Sequence, residues 1–132
     1  MIKYKSGYKY QLHETYVIQL PSSFNDIDHI GPFVKISTGC LSILKGYAWD
    51  GPSGPTIDTK NFMRGSLVHD VLYQLMRDGV VPKEKRDDAD RLLQSICRED
   101  GMSKFRAWYV YQAVKYFGRS PMLTNKDIKV AP

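Results

Sequence analysis

Cysteine is scarce in this chain: Cys40 and Cys97 are the only two, far apart and not in a CxxC pair. That excludes a disulfide framework and a thiolate metal site, and leaves two ordinary reduced residues. Long apolar runs are also missing. No stretch reaches the roughly 18 residues that a membrane-spanning helix needs. The opening residues, MIKYKSGYKY, lack the apolar centre of a secretory leader. The expectation is a soluble protein made in a cytoplasm. There is no internal repeat and no low-complexity tract.

What is present suits one globular domain. The 132 residues are 42% hydrophobic and 25% charged, enough to bury a core without covalent staples. The formal net charge is +5, which would favour an anionic partner. The basic residues are nevertheless spread out, and the one dense group, Lys83, Lys85 and Arg86, is followed at once by Asp87, Asp88 and Asp90. No specific nucleic-acid motif is found, and solubility accounts for most of this charge.

The first 50 residues read as strands. YKYQLHETYVIQL is rich in β-branched and aromatic residues, partly alternates, and stops at Pro21 and Ser22. FVKIS and CLSILKGYAW read the same way, with Thr38 and Gly39 as the turn between them. Together they predict a small antiparallel sheet, with His13 in a strand and His29 in a loop, both as structural or surface histidines.

Beyond Pro55 the apolar period changes to that of a helix. One helix is predicted over 61–77, with Asp58 or Thr59 as its cap and Leu67, Val68, Val71, Leu72 and Leu75 buried. Gly79 and Pro82 separate it from a second over 83–99, whose stripe is Ala89, Leu92, Leu93, Ile96 and Cys97. After Gly101 comes a third over 103–118, ended by Gly118. Its aromatic stripe of Phe105, Trp108, Tyr109, Tyr116 and Phe117, with Ala113, is expected to pack into the core. The fold class is therefore α+β: a strand-rich part over 1–50, a helical part over 61–118 and an extended tail over 119–132, in a single domain.

Chemistry concentrates in GYAWDGPSGPTIDTKNFMRGSLVHDVLY, residues 46–73. His69 and Tyr73 are four apart and share a helix face, with Asp70 about 100° around. A charged aspartate in an apolar helix is costly unless it is paired or coordinates something, so Asp70 and His69 either bond to neighbouring loops as a fold-holding device or serve a site. On the second helix Asp90 lies at the edge of the apolar stripe beside Cys97, Asp88 at the opposite edge, and Asp87 toward solvent. If the two helices pack antiparallel, as a short connection favours, Asp90 comes within reach of His69. A carboxylate on one imidazole nitrogen fixes the tautomer and leaves the other as a general base. The alternative is an exposed Asp90 that only complements the helix dipole. The Gly51–Pro52–Ser53–Gly54 loop permits close backbone turns, so its carbonyls and Asp70 have the hard oxygen chemistry of a calcium site.

The order of a glycine-rich loop, HDVLY on a helix and ADRLL on the next resembles the phospholipase A2 superfamily, most closely its disulfide-free parvoviral capsid type. The chain also resembles an uncharacterised family of small bacteriophage proteins with D-G-x-S-x-P, H-D-x-L-Y and A-D motifs. The first resemblance spans about 46–118, the second nearly the whole chain. It implies a phospholipase A2-like helix pair in which His69 activates water, Asp90 orients His69 and Tyr73 bonds the Asp90 carboxylate. Asp70 with the carbonyls of Trp49, Gly51 and Ser53 would hold calcium, and the Gly51 N–H would help stabilise the oxyanion. Ser53 stands where the lipases have glycine, Asp50 adds a charge they do not require, and the amino-terminal sheet lies outside their core.

Two functions stay open: a phage-encoded, calcium-dependent esterase acting on phospholipid at a membrane surface, and a non-enzymatic accessory or virion protein that binds a host or structural partner. The resemblance places either one in the host cytoplasm or in the virion. A metal-dependent phosphohydrolase using His69 and Asp70 fits less well, because His13 and His29 fall in the strand-rich part.

Overall fold

The structure, a computed structural model, describes residues 4–5, 10–49 and 60–117. The fold is α+β, with antiparallel strands followed by three helices. The chain divides into two compact units, Met1–Asp50 and Gly51–Pro132, and the division falls where the apolar period changes from two to that of a helix.

The first unit contains two antiparallel sheets where the sequence predicts one. β1 (Tyr4–Lys5), β2 (Tyr10–Leu12) and β7 (Ala48–Trp49) form a sheet in the order β1-β2-β7. β3 (Tyr16–Gln19), β4 (His29–Ile30), β5 (Val34–Ser37) and β6 (Cys40–Ile43) form another, ordered β3-β6-β5-β4. The long segment 40–49 is broken by a turn at 44–47, which lets β6 and β7 join different sheets. Alternation sets the buried face: Val34 pairs with Ile43 and Ile36 with Leu41, all four buried, while Lys35 points outward. Thr38 and Gly39 join Ser37 to Cys40 as expected, with φ of 49° and 76°, the paired positive values of the tight hairpin turn that matches strand twist. His29 begins β4 rather than lying in a loop, and His13 falls in a bend just after β2.

The second unit is built from α1 (Lys60–Arg77), α2 (Arg86–Glu99) and α3 (Lys104–Phe117). The expected caps Asp58 and Thr59 and the stop at Gly118 lie outside the described residues. α1 and α2 end alike. At α1 the Gly79 N–H bonds the Met76 carbonyl and the Val80 N–H the Leu75 carbonyl; at α2 Gly101 bonds Arg98 and Met102 bonds Cys97. This paired pattern needs a left-handed residue after the helix, and Gly101 supplies it with φ of 100°. It also turns Met102 back into the core beside Cys97, Leu93, Phe62, Ala107 and Val110. A single 3₁₀ turn, Lys83–Lys85, precedes α2. α3 starts with the Ser103 hydroxyl accepting the Arg106 N–H at 3.2 Å, a side-chain cap.

α1 and α2 run antiparallel. Arg64 reaches Glu99 and Asp100, Gly65 lies against Leu93 and Cys97, and His69 meets Asp90. Gly65 makes the close approach workable: a Cβ there would come 2.7 Å from Leu93 Cδ1 and 3.1 Å from Cys97 Sγ. Glycine inside a helix costs about 1 kcal/mol relative to alanine, so its presence at this crossing favours proximity over propensity.

The expected core stripe of α3 is corrected at four of its six residues; Ala113 is half-buried, and the Phe117 side chain lies outside the described residues. Phe105, Trp108, Tyr109 and Tyr116 are exposed, whereas Ala107, Val110 and Tyr111 are buried. Ala107 and Val110 pack with Leu93 and Cys97 of α2, and Tyr111 is buried with its hydroxyl on Asp87. Substituting Gly65→Val is expected to lower stability by about 1–3 kcal/mol through overpacking, measured by urea denaturation. An unchanged midpoint would mean that the helices do not hold this separation.

Candidate functional site

Spacing of four along α1 places Gly65, His69 and Tyr73 on the face that meets α2. From α2, Asp90 projects between them with no solvent exposure, and His69 keeps only 8% of its surface exposed. His69 Nε2 lies 2.7 Å from Asp90 Oδ1, and the Tyr73 hydroxyl donates to the same oxygen at 2.7 Å. The His69 and Tyr73 rings lie 4.2 Å apart, centroid to centroid, tilted by 35°. Asp90 Oδ2 is buried and finds no hydrogen-bond partner among the described residues.

One carboxylate oxygen with two donors is the organising feature. Burial, followed by the charge and hydrogen bond of Asp90, raises the Tyr73 phenol far above its ordinary range, so Tyr73 stays protonated and donates. With the Asp90 carboxylate accepting, His69 donates from Nε2, which leaves Nδ1 as the ring nitrogen that Asp90 does not engage. The stacked tyrosine and the buried carboxylate together restrict the ring's rotation.

Of the residues expected in the site, the structure therefore brings together His69, Tyr73 and Asp90. The dipole-only alternative for Asp90 does not hold, because its side chain is wholly buried. Asp70 is half-buried on α1 and makes a polar interaction of its own. Trp49 is a buried residue ending β7 of the first unit. Gly51 and Ser53, like Asp50, lie outside the described residues. Among the described residues no group of three or more His, Cys, Asp or Glu side chains is arranged to hold a metal. Of the expected calcium ligands, the described residues hold Asp70 and Trp49, and a carboxylate and a carbonyl are hard oxygen donors of the kind that ion takes.

A family profile described as a protein of unknown function, DUF1353, matches residues 35–114, more than half of the chain. The chain belongs to the DUF1353 family. The span shared with DUF1353 runs from β5 into α3 and includes Trp49, Gly51, Ser53, His69, Asp70, Tyr73 and Asp90. No curated protein and no solved structure matches the chain.

Sequence reading missed a second polar anchor. Tyr111 on α3 donates to Asp87 Oδ1 at 2.6 Å, and Arg91 bonds Asp87 Oδ2 at 2.7 Å. Those two bonds, Tyr111 first, hold the Asp87 carboxyl below the ordinary aspartate range. Asp87 and Asp90 are three apart, so the first turn of α2 ties itself to α3 with one carboxylate and to α1 with the other. The legible signal was the i, i+4 pair Asp87–Arg91; the Tyr111 partner has no sequence signature. Cys97 is packing: burial pushes its thiol up to about 12, which removes it from thiolate chemistry at neutral pH.

Tyr73→Phe removes one of the two donors to a buried carboxylate without changing the ring's volume. Its expected cost is about 1–3 kcal/mol, read as a lowered chemical-denaturation midpoint. Wild-type stability in that variant would show that the tyrosine bond does not support Asp90.

Proposed function

We propose that this chain is a phospholipase A2-like esterase, encoded by a bacteriophage, that hydrolyses phospholipid esters with calcium. The observation that carries the reading is Asp90 Oδ1 engaging both His69 Nε2 and the Tyr73 hydroxyl at 2.7 Å. It is the arrangement that the HDVLY and ADRLL resemblance implies, and it supplies a histidine of fixed tautomer with its second nitrogen available as a base.

In this reading His69 Nδ1 removes a proton from water as the water oxygen attacks the ester carbonyl, and the Asp90 carboxylate stabilises the resulting imidazolium. Tyr73 keeps Asp90 in position and contributes no proton. His69 then returns its proton to the departing alkoxide, giving a free fatty acid and a lysophospholipid. Bound calcium would supply a positive charge for the carbonyl oxygen and the lipid phosphate. Asp70 would be one ligand, with the loop carbonyls that the resemblance names completing the set and the Gly51 N–H serving the oxyanion. The reading places the protein in the host cytoplasm or in the virion. No helix among the described residues is long and apolar enough to cross a membrane.

A second reading rests on a different observation. The outward aromatic face of α3 suits a non-enzymatic accessory or virion protein that binds a partner, with His69, Tyr73 and Asp90 as a purely structural tie between helices.

Fatty-acid release from mixed phospholipid vesicles separates the two. Release is expected to need calcium, to stop with a chelator, and to fall by about 100-fold or more in His69→Gln, where glutamine can still donate to Asp90. A folded wild-type protein that releases no fatty acid from zwitterionic or anionic lipid would overturn the esterase reading.

A further inference from the structure

The helical wheel of α3 has two apolar sides. Ala107, Val110 and Tyr111 are buried, whereas Phe105, Trp108, Tyr109 and Tyr116, at spacings of three, four and eleven, form one outward stripe. Their exposures are 74%, 49%, 41% and 68%. Four large aromatic rings on one face of a 14-residue helix exceed the scattered apolar exposure that an ordinary surface carries.

The charge around the stripe has one sign. α3 contains Lys104, Arg106 and Lys115 and no aspartate or glutamate. On the wheel Lys104 and Lys115 flank the Trp108 edge and Arg106 flanks the Tyr109 edge. Lys115 Nζ sits 5.7 Å from the centre of the Tyr111 ring, and exposed Arg91 of α2 lies 5.4 Å from the same ring. The nearby carboxylates are largely engaged: Asp87 by Tyr111 and Arg91, Asp90 by His69 and Tyr73, Glu99 and Asp100 by Arg64. Asp88, half-buried on α2, is the remaining acid of that helix.

We propose that this face of α3 docks on an anionic lipid surface, with the Phe105, Trp108, Tyr109 and Tyr116 rings entering the headgroup region and Lys104 and Lys115 meeting lipid phosphates. Amphipathic rings favour that interface, and flanking cations add attraction to anionic headgroups. The charge decides for a lipid surface over a second copy of the chain, since two copies meeting through this face would oppose like charges. The inference deepens the lipid-directed reading above by naming the binding surface, but binding itself needs neither calcium nor the His69 base.

The test is co-sedimentation of full-length His69→Gln protein, in chelator, with phosphatidylcholine vesicles and with vesicles that also contain phosphatidylglycerol. Binding is expected to favour the anionic vesicles and weaken as salt rises. It should fall by about tenfold or more in Phe105→Ser/Trp108→Ser, and should also weaken in Lys104→Glu/Lys115→Glu, with circular dichroism unchanged because these side chains are exposed. Absence of binding by folded protein, or binding indifferent to both double variants, would overturn the proposal. So would a dimer in sedimentation that Phe105→Ser/Trp108→Ser dissolves, which would assign the face to a second copy. Vesicle binding without fatty-acid release by the wild type would remove the esterase reading and leave this one standing.

Discussion

A carboxylate with no access to water depends on the protein for its hydrogen bonds, and the helical unit supplies two of them to one oxygen of Asp90, Oδ1. Losing a partner from a buried charge costs several kcal/mol, typically about 3–5, so α1 must present His69 and Tyr73 where Asp90 arrives. That demand fixes the antiparallel register of α1 and α2. Gly65 admits the close approach one turn before His69, and Arg64 closes the far end on Glu99 and Asp100. The matched glycine terminations after α1 and α2 then aim the chain into the next helix.

In the proposed reading the same constraint serves chemistry as well as architecture. A buried carboxylate that accepts from Tyr73 and His69 through one oxygen favours the imidazole tautomer with its proton on Nε2. The neighbouring carboxylate, Asp87, has a different environment: exposed, bonded to Tyr111 and Arg91, and tied to α3. Two aspartates within one turn thus do separate work because one is shielded from water and the other is not. The DUF1353 match covers both helices of this arrangement and most of α3.

Much of this was legible in the residues. The change of apolar period after Pro55, the Thr38–Gly39 turn, the three helices and the approach of Asp90 to His69 follow from spacing, whereas the Tyr73–Asp90 bond came only with the phospholipase A2 resemblance, and the cost of buried charge pointed to Asp70, which is half-buried. What was not legible has a physical reason in each case. Periodicity shows that α3 has an apolar stripe but not which of two stripes faces inward; side-chain bulk pointed to Phe105 and Trp108, whereas close packing selected Ala107 and Val110. A continuous β-prone segment at 40–49 does not reveal the turn that sends β6 and β7 to different sheets. Gly65 carried no helix-level signal because its role depends on Leu93 and Cys97, distant in sequence. The expected calcium loop falls at 51–53, outside the described residues.

The most direct test of the central arrangement is the tautomer of His69, read from ¹⁵N–¹H correlation spectra of the imidazole at neutral pH. The expected result is a proton on Nε2 whose resonance changes in Asp90→Asn. A proton on Nδ1 with a bare Nε2 facing Asp90 would contradict it, because the carboxylate would then receive no bond from the histidine.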